Sequence, residues 1–225
     1  MAQITKANVV KEVRVILDEN KVSPSLDGVG ELDTLSTDEV IESCIDKALR
    51  IVMMHADTEL FDSGTTLERN KYKPAKQQDN GVIYGIVELP DDYIRMLSAK
   101  LYGWDYALGY AHPRGSDMYY VQHGHSKSLL ATHDRPVAVV TPDGKHVELF
   151  PVHSMSEESL EHFIYLSSPS TAEGYVISDK LYPGVIYVCA SLVATSFGDM
   201  TSATAFENIA RQYYKAITNV SDKTD

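Results

Sequence analysis

The chain predicts an α+β fold: a helical bundle drawn from its N- and C-terminal segments, with a β-rich, sandwich-like middle inserted between them. Three observations predict it. Apolar residues recur at helical spacing near both ends. β-branched and aromatic runs, punctuated by Pro, Gly and Asp, fill the middle. Hydrophobic residues make up 44% of the 225, enough for a sizeable core and too many for general disorder. The expected partition is a helical domain from 1–60 and 182–225, an exposed loop at 61–81, and a β-rich domain at 82–181.

In chain order, Val9, Val10, Val13, Ile16 and Leu17 predict a first helix between Thr5 and Asn20. Ser23-Pro24-Ser25-Leu26-Asp27-Gly28-Val29-Gly30 breaks it into a loop. Ser36-Thr37-Asp38-Glu39 fits a capping box, in which hydroxyl and carboxylate satisfy orphan amides reciprocally. The stripe Val40, Ile41, Cys44, Ile45, Ala48, Leu49 and Val52 follows it, so the second helix packs on the first. Asp62 to Gly81 is polar and reads as a long contact loop.

Val82 to Val87 then opens the strands, and Met96 to Tyr102 alternates as a half-buried strand with Leu97, Ala99 and Leu101 on one side. Pro90-Asp91-Asp92 is a turn between them, and Ala111 to Asp117 a loop. Met118-Tyr119-Tyr120-Val121 reads as a short strand. Val137-Ala138-Val139-Val140, Thr141-Pro142-Asp143-Gly144 and Lys145 to Phe150 predict a β-hairpin, because Pro presets one turn angle and Gly supplies a positive φ. Phe163 to Leu166 and Gly174 to Ile177 are two further strands. Pro183 suits a first helical turn, and Val185, Ile186, Cys189, Leu192, Val193 and Phe197 form one apolar face. Gly198 to Thr201 is a break. Phe206, Ile209, Ala210, Tyr213 and Ile217 mark the last helix, and Val220 to Asp225 a polar tail.

The formal charge of −12 opposes a free nucleic-acid-binding module, which would carry a basic patch. Lys71, Lys73 and Lys76 are the nearest thing to one and read as a solvated loop. An acidic wall instead lets DNA pass without sticking. Fourteen tyrosines against one tryptophan and five phenylalanines favour partly wet contact surfaces or half-buried sheet positions. The two cysteines, Cys44 and Cys189, fall on apolar helical faces, so buried free thiols and a reducing compartment are expected. The first residues lack the apolar core of a signal peptide, and the longest apolar stretch, Val185 to Phe197, is too short to span a bilayer. No membrane association is expected.

No catalytic constellation stands out, and no enzyme activity, cofactor or metal is expected. G-x-S-x-G, G-x-x-x-x-G-K-[ST] and G-x-G-x-x-G do not occur in the sequence. The alternative from a different class is a zinc-dependent hydrolase. On a strand His123 and His125 would face one side and share a metal, with His133 or His153 as third ligand. A second alternative is a cellular adaptor that binds one partner through the 62–81 loop. Trp104, Tyr119 and Tyr120 are the expected packing or interface anchors of the β-rich part.

Leu89-Pro90-Asp91-Asp92-Tyr93-Ile94-Arg95 leading into a strand resembles tail tubular and head–tail connector proteins of short-tailed phages. Trp104, the Tyr119-Tyr120 pair with Gln122, Arg135-Pro136-Val137 and Glu148-Leu149-Phe150-Pro151 follow in a comparable order, as does the apolar helix through Tyr187 to Val193. The likeness spans roughly Val82 to Ile217 and is most similar to the ring proteins of crAss-like phages. It implies a structural virion protein of the head–tail region, assembled in the host cytoplasm. Such proteins form twelvefold rings below the portal, bind adjacent rings and tail fibre or outer tail proteins, and line the channel for genome ejection. Twelve copies would bring a formal charge of roughly −144, and any share facing the lumen would repel DNA phosphates. Head-to-tail contacts close into a ring when the rotation divides evenly.

Overall fold

A computed structural model describes residues 2–17, 36–78, 81–171 and 174–215. The predicted loop at Ser23–Gly30, the last apolar position Ile217 and the tail from Val220 lie outside the described residues, as do 79 and 80 of the predicted 61–81 loop. The fold is α+β, with helices toward both ends flanking a β-rich middle. In chain order the elements are β1 (Ala2–Ile4), α1 (Lys6–Ile16), α2 (Thr37–His55), β2 (Thr65–Thr66), β3 (Tyr72–Lys76), β4 (Ile83–Glu88), β5 (Tyr93–Leu101) and α3 (Asp117–His123). They continue through β6 (Val137–Val140), β7 (His146–Phe150), β8 (Leu160–Ser167), β9 (Ser170–Thr171), β10 (Gly174–Ile177), α4 (Tyr182–Ser196) and α5 (Met200–Tyr214). The chain divides into two compact units, 1–62 with 169–225, and 63–168.

The first unit is built on α4, which packs against α1, α2 and α5. α4 is apolar nearly all round, and eight of its residues are buried, from Gly184 to Ala194. Such a helix belongs at the centre of a bundle. α2 is amphipathic and buries the expected stripe from Ile41 to Val52, with Met53 added. Its capping box is present: the Ser36 hydroxyl accepts from the Glu39 N–H, and the Glu39 carboxylate accepts from the Ser36 N–H at 2.7 Å. Pro183 sits in the first turn of α4 as its missing donor allows. Gly198 (φ +80°) closes that helix, and Asp199 caps α5 by accepting from Ser202 N–H. Cys44 and Cys189 are free and buried here, and burial pushes the Cys189 thiol up to about 12.

This unit also holds a small antiparallel sheet in the order β1-β10-β9. The sequence reading placed Gly174–Ile177 in the β-rich domain. Instead that strand pairs with the N-terminal residues, Ala2 opposite Ile177 and Ile4 opposite Tyr175. Strand pairing is set by partners distant in sequence, which a local pattern does not reveal. Tyr175 and Tyr182 are tied to the helices by their hydroxyls, which donate to Asp46 and Glu12 at 2.8 Å each.

The second unit has two antiparallel sheets, β2-β8-β5 and β3-β4-β7-β6. Their inner faces share one core that includes Val87, Met96, Trp104, Leu149, Phe163 and Tyr165. The predicted hairpin is β6–β7, with Val140 opposite Val147 and Gly144 at φ +74° in the turn. β5 buries Leu97, Ala99 and Leu101 as expected, but Met96 is buried too, because register shifts along the β5–β8 ladder interrupt strict alternation.

Two expectations fail in this unit. The 61–81 stretch is not an exposed loop: β2 pairs with β8, β3 pairs with β4, and Leu67 and Tyr72 are buried in the core. Its polarity misleads because β3 is an edge strand, where Lys73, Pro74 and Lys76 discourage pairing with another chain. The hydrogen bond from Gln77 N–H to Val82 puts Pro74 at a position whose missing donor faces away from β4. The second failure is Met118–Val121, which lies within the helix α3 and not on a strand.

Candidate functional site

Alternation along β7 sends Val147 and Leu149 into the core and His146, Glu148 and Phe150 to the opposite face of the sheet. On β4, Gly85 and Val87 point inward, which leaves Tyr84 and Ile86 beside Glu148 and Phe150. Tyr84 stacks on Phe150 with ring centroids 5.3 Å apart and planes 10° from parallel. α3 covers this outer face. Tyr119 and His123, one helical turn apart, stack at 4.3 Å, and His123 meets Tyr84 and Phe150 edge-on at 6.0 and 5.8 Å.

Within this aromatic surround, His123 Nε2 lies 3.3 Å from Glu148 Oε2, and His123 Nδ1 lies 3.0 Å from the Tyr119 carbonyl. The Glu148 side chain is only 8% exposed. Burial raises its carboxyl above the ordinary carboxylate range; His123 and His146 oppose that shift, and Asp143 adds to it. Burial also raises the Tyr84 and Tyr119 hydroxyls, and the charge of Glu148 raises them further. The arrangement sets a buried carboxyl beside a half-buried imidazole within a surround of aromatic rings.

α3 is held in place by a second polar contact that sequence reasoning missed. Gln122 is 1% exposed; its amide N–H donates to the Leu129 carbonyl, and its side-chain oxygen accepts from the Ala131 N–H at 2.8 Å. Glu148 was also missed as a site residue. Its signal was present: an acid between Val147 and Leu149 in an otherwise apolar strand must either face water or find a partner.

The structure does not bring the proposed histidine ligands together on a strand. His123 ends α3, Gly124 terminates that helix, and His125 is exposed beyond it. Both ring nitrogens of His123 face protein atoms. His133 and His153 meet each other beside Gly103, with ring centroids 5.8 Å apart. Among the described residues no three His, Cys, Asp or Glu side chains are grouped to hold a metal ion, and no helix is long and apolar enough to cross a membrane.

The three aromatic anchors separate. Trp104 is buried in the core at 3% exposure, and its indole N–H donates to the Pro151 carbonyl at 2.8 Å. Tyr119 is half-buried in the box. Tyr120 is 63% exposed and touches Tyr119 edge-on at 5.5 Å. No protein-family model matches this chain, and no curated protein matches it.

Proposed function

We propose that the chain is a structural virion protein that assembles into an oligomeric ring, twelvefold by resemblance, in the head–tail connector of a short-tailed phage. In this reading it joins the portal to tail components and lines the path of DNA. The observation that carries it is the set of tyrosine rings exposed on the second unit. Tyr102, Tyr106, Tyr110 and Tyr120 each leave roughly half or more of their surface open. Tyrosine binds well at wet interfaces because its ring is apolar and rigid while its hydroxyl remains solvated. Charge supports the same reading. The helical unit holds nineteen acidic against ten basic residues, and the second unit thirteen against ten. An acidic surface turned to a channel repels DNA phosphates.

Electron microscopy and light scattering of the purified protein test the proposal. The expected result is ring-shaped particles, alone or with portal and neighbouring ring proteins, near about 300 kDa for twelve 25.0 kDa copies. Particles that stay monomeric under all those conditions overturn it.

A further inference from the structure

On the reading that the chain builds a ring, we infer that the segment from Tyr102 to Tyr110 is the surface through which one copy grips the next. Local packing shapes it first. The segment leaves β5 at Leu101, and β5 lies at the edge of its sheet. Two backbone hydrogen bonds between Leu108 and Ala99, at 2.8 and 2.9 Å, return the segment to that strand. His112 then joins β6, the edge strand of the other sheet, by donating to the Ala138 carbonyl and accepting from the Val140 N–H. Trp104 and Leu108 are buried in the core. Tyr102, Tyr106 and Tyr110, each two residues from one of those anchors, are exposed. A segment pinned in this way loses little freedom on binding, so its tyrosines are pre-organised contact groups.

Charge selects the occupant. From Leu101 to Pro136 the chain carries Asp105, Asp117 and Asp134 against Arg114, Lys127 and Arg135, a net of zero. The whole formal charge of −12 therefore lies elsewhere. Copies of an acidic chain repel one another, and they approach most easily where that charge is missing. The same stretch holds five of the eleven large apolar or aromatic side chains that are exposed among the described residues: the three tyrosines, Tyr120 and Leu129. A basic protein would be drawn instead to the acidic surfaces, and nucleic acid would find no cluster of positive charge between Tyr102 and Tyr110. An almost uncharged tyrosine face fits a second copy of this chain. In a closed ring the contact is head-to-tail, so this face meets a different surface of its neighbour.

Two consequences separate such a contact from an ion-paired one. Salt shortens the reach of repulsion between copies, from about 10 Å at 0.1 M to about 3 Å at 1 M. Asp105 is the only charged residue between Tyr102 and Tyr110, so salt has little attraction to weaken there. Self-association should therefore strengthen as salt is added. The ring supplies most of the contact area and the hydroxyl a hydrogen bond at a wet edge, so losing the ring should cost more than losing the hydroxyl.

Sedimentation velocity of the full-length protein, across concentration and from about 0.1 to 1 M salt, measures the contact. Wild type should self-associate, and more tightly at high salt. The triple variant Tyr102→Ser, Tyr106→Ser, Tyr110→Ser should associate about a hundredfold more weakly, and the matching phenylalanine triple should lose less. All three side chains are exposed, so the circular dichroism spectrum and urea midpoint should stay close to wild type. Oxidative footprinting of the wild type should show the three rings shielded as concentration rises, and it decides the matter with the salt series if the variant does not fold. A serine triple that associates as tightly as wild type overturns this surface and leaves the ring reading standing. Association weakened by salt, or rings left unshielded in the assembly, also overturns it. So do monomers at every concentration and salt, and the ring reading then falls only if portal and neighbouring ring proteins fail to assemble the chain as well.

Discussion

At the residue scale, Trp104 shows how a single aromatic ring just beyond the end of β5 serves the core. Trp104 is the only tryptophan, and its ring fills the shared core while its N–H satisfies the Pro151 carbonyl. A large apolar ring with one correctly placed donor is stabilising in such a position. Trp104→Ala should destabilise the second unit by about 3–5 kcal/mol, measured by urea unfolding followed by circular dichroism. Trp104→Phe keeps most of the apolar volume but strands the carbonyl, and should cost about 1–3 kcal/mol. A loss below that for the alanine variant would mean the ring is not a core element. Trp104 was legible as an anchor because a lone large aromatic in a β-rich stretch seeks burial. Tyr120, equally aromatic, lies on the open side of α3, and no residue identity distinguishes those two outcomes.

At the scale of elements, local chemistry decided what pairs with sequence neighbours. The α2 capping box and the β6–β7 hairpin form where their residues require them, since each is closed by contacts only a few residues apart. α3 was misread because four apolar and aromatic residues fit either period, and packing over the sheet settles the choice. Gly85 illustrates a constraint invisible in sequence. A Cβ there would overlap the Tyr72 ring, which crosses from β3 and is fully buried. Gly85→Ala should therefore cost about 1–3 kcal/mol by overpacking. In a Tyr72→Leu background the same change should cost markedly less, and the double-mutant cycle measures that coupling. Equal costs in both backgrounds would remove the proposed contact as the reason for glycine.

At the scale of the molecule, residues 63–168 form one uninterrupted segment with its own core. Its ends meet: Thr65 pairs with Tyr165, and the Thr65 and Ser167 hydroxyls are 3.1 Å apart. A segment with adjacent ends and a private core should fold alone. The isolated 63–168 fragment should unfold cooperatively in urea with a buried-tryptophan emission that shifts red; a non-cooperative transition would refute this.

The amino-acid pattern by itself determined the α+β class, the periodic faces of α2 and α4, the capping box, the hairpin and the burial of both cysteines. All of these rest on interactions within a few residues or on a simple choice between water and core. Tertiary structure alone decided that Gly174–Ile177 pairs with the N-terminus, that Tyr72 belongs to a core, that α3 is a helix, and that His123 meets Glu148 and not His125. Those outcomes depend on groups brought together across long stretches of chain, and the energy that selects them comes from packing and desolvation that exist only after the sheets have formed.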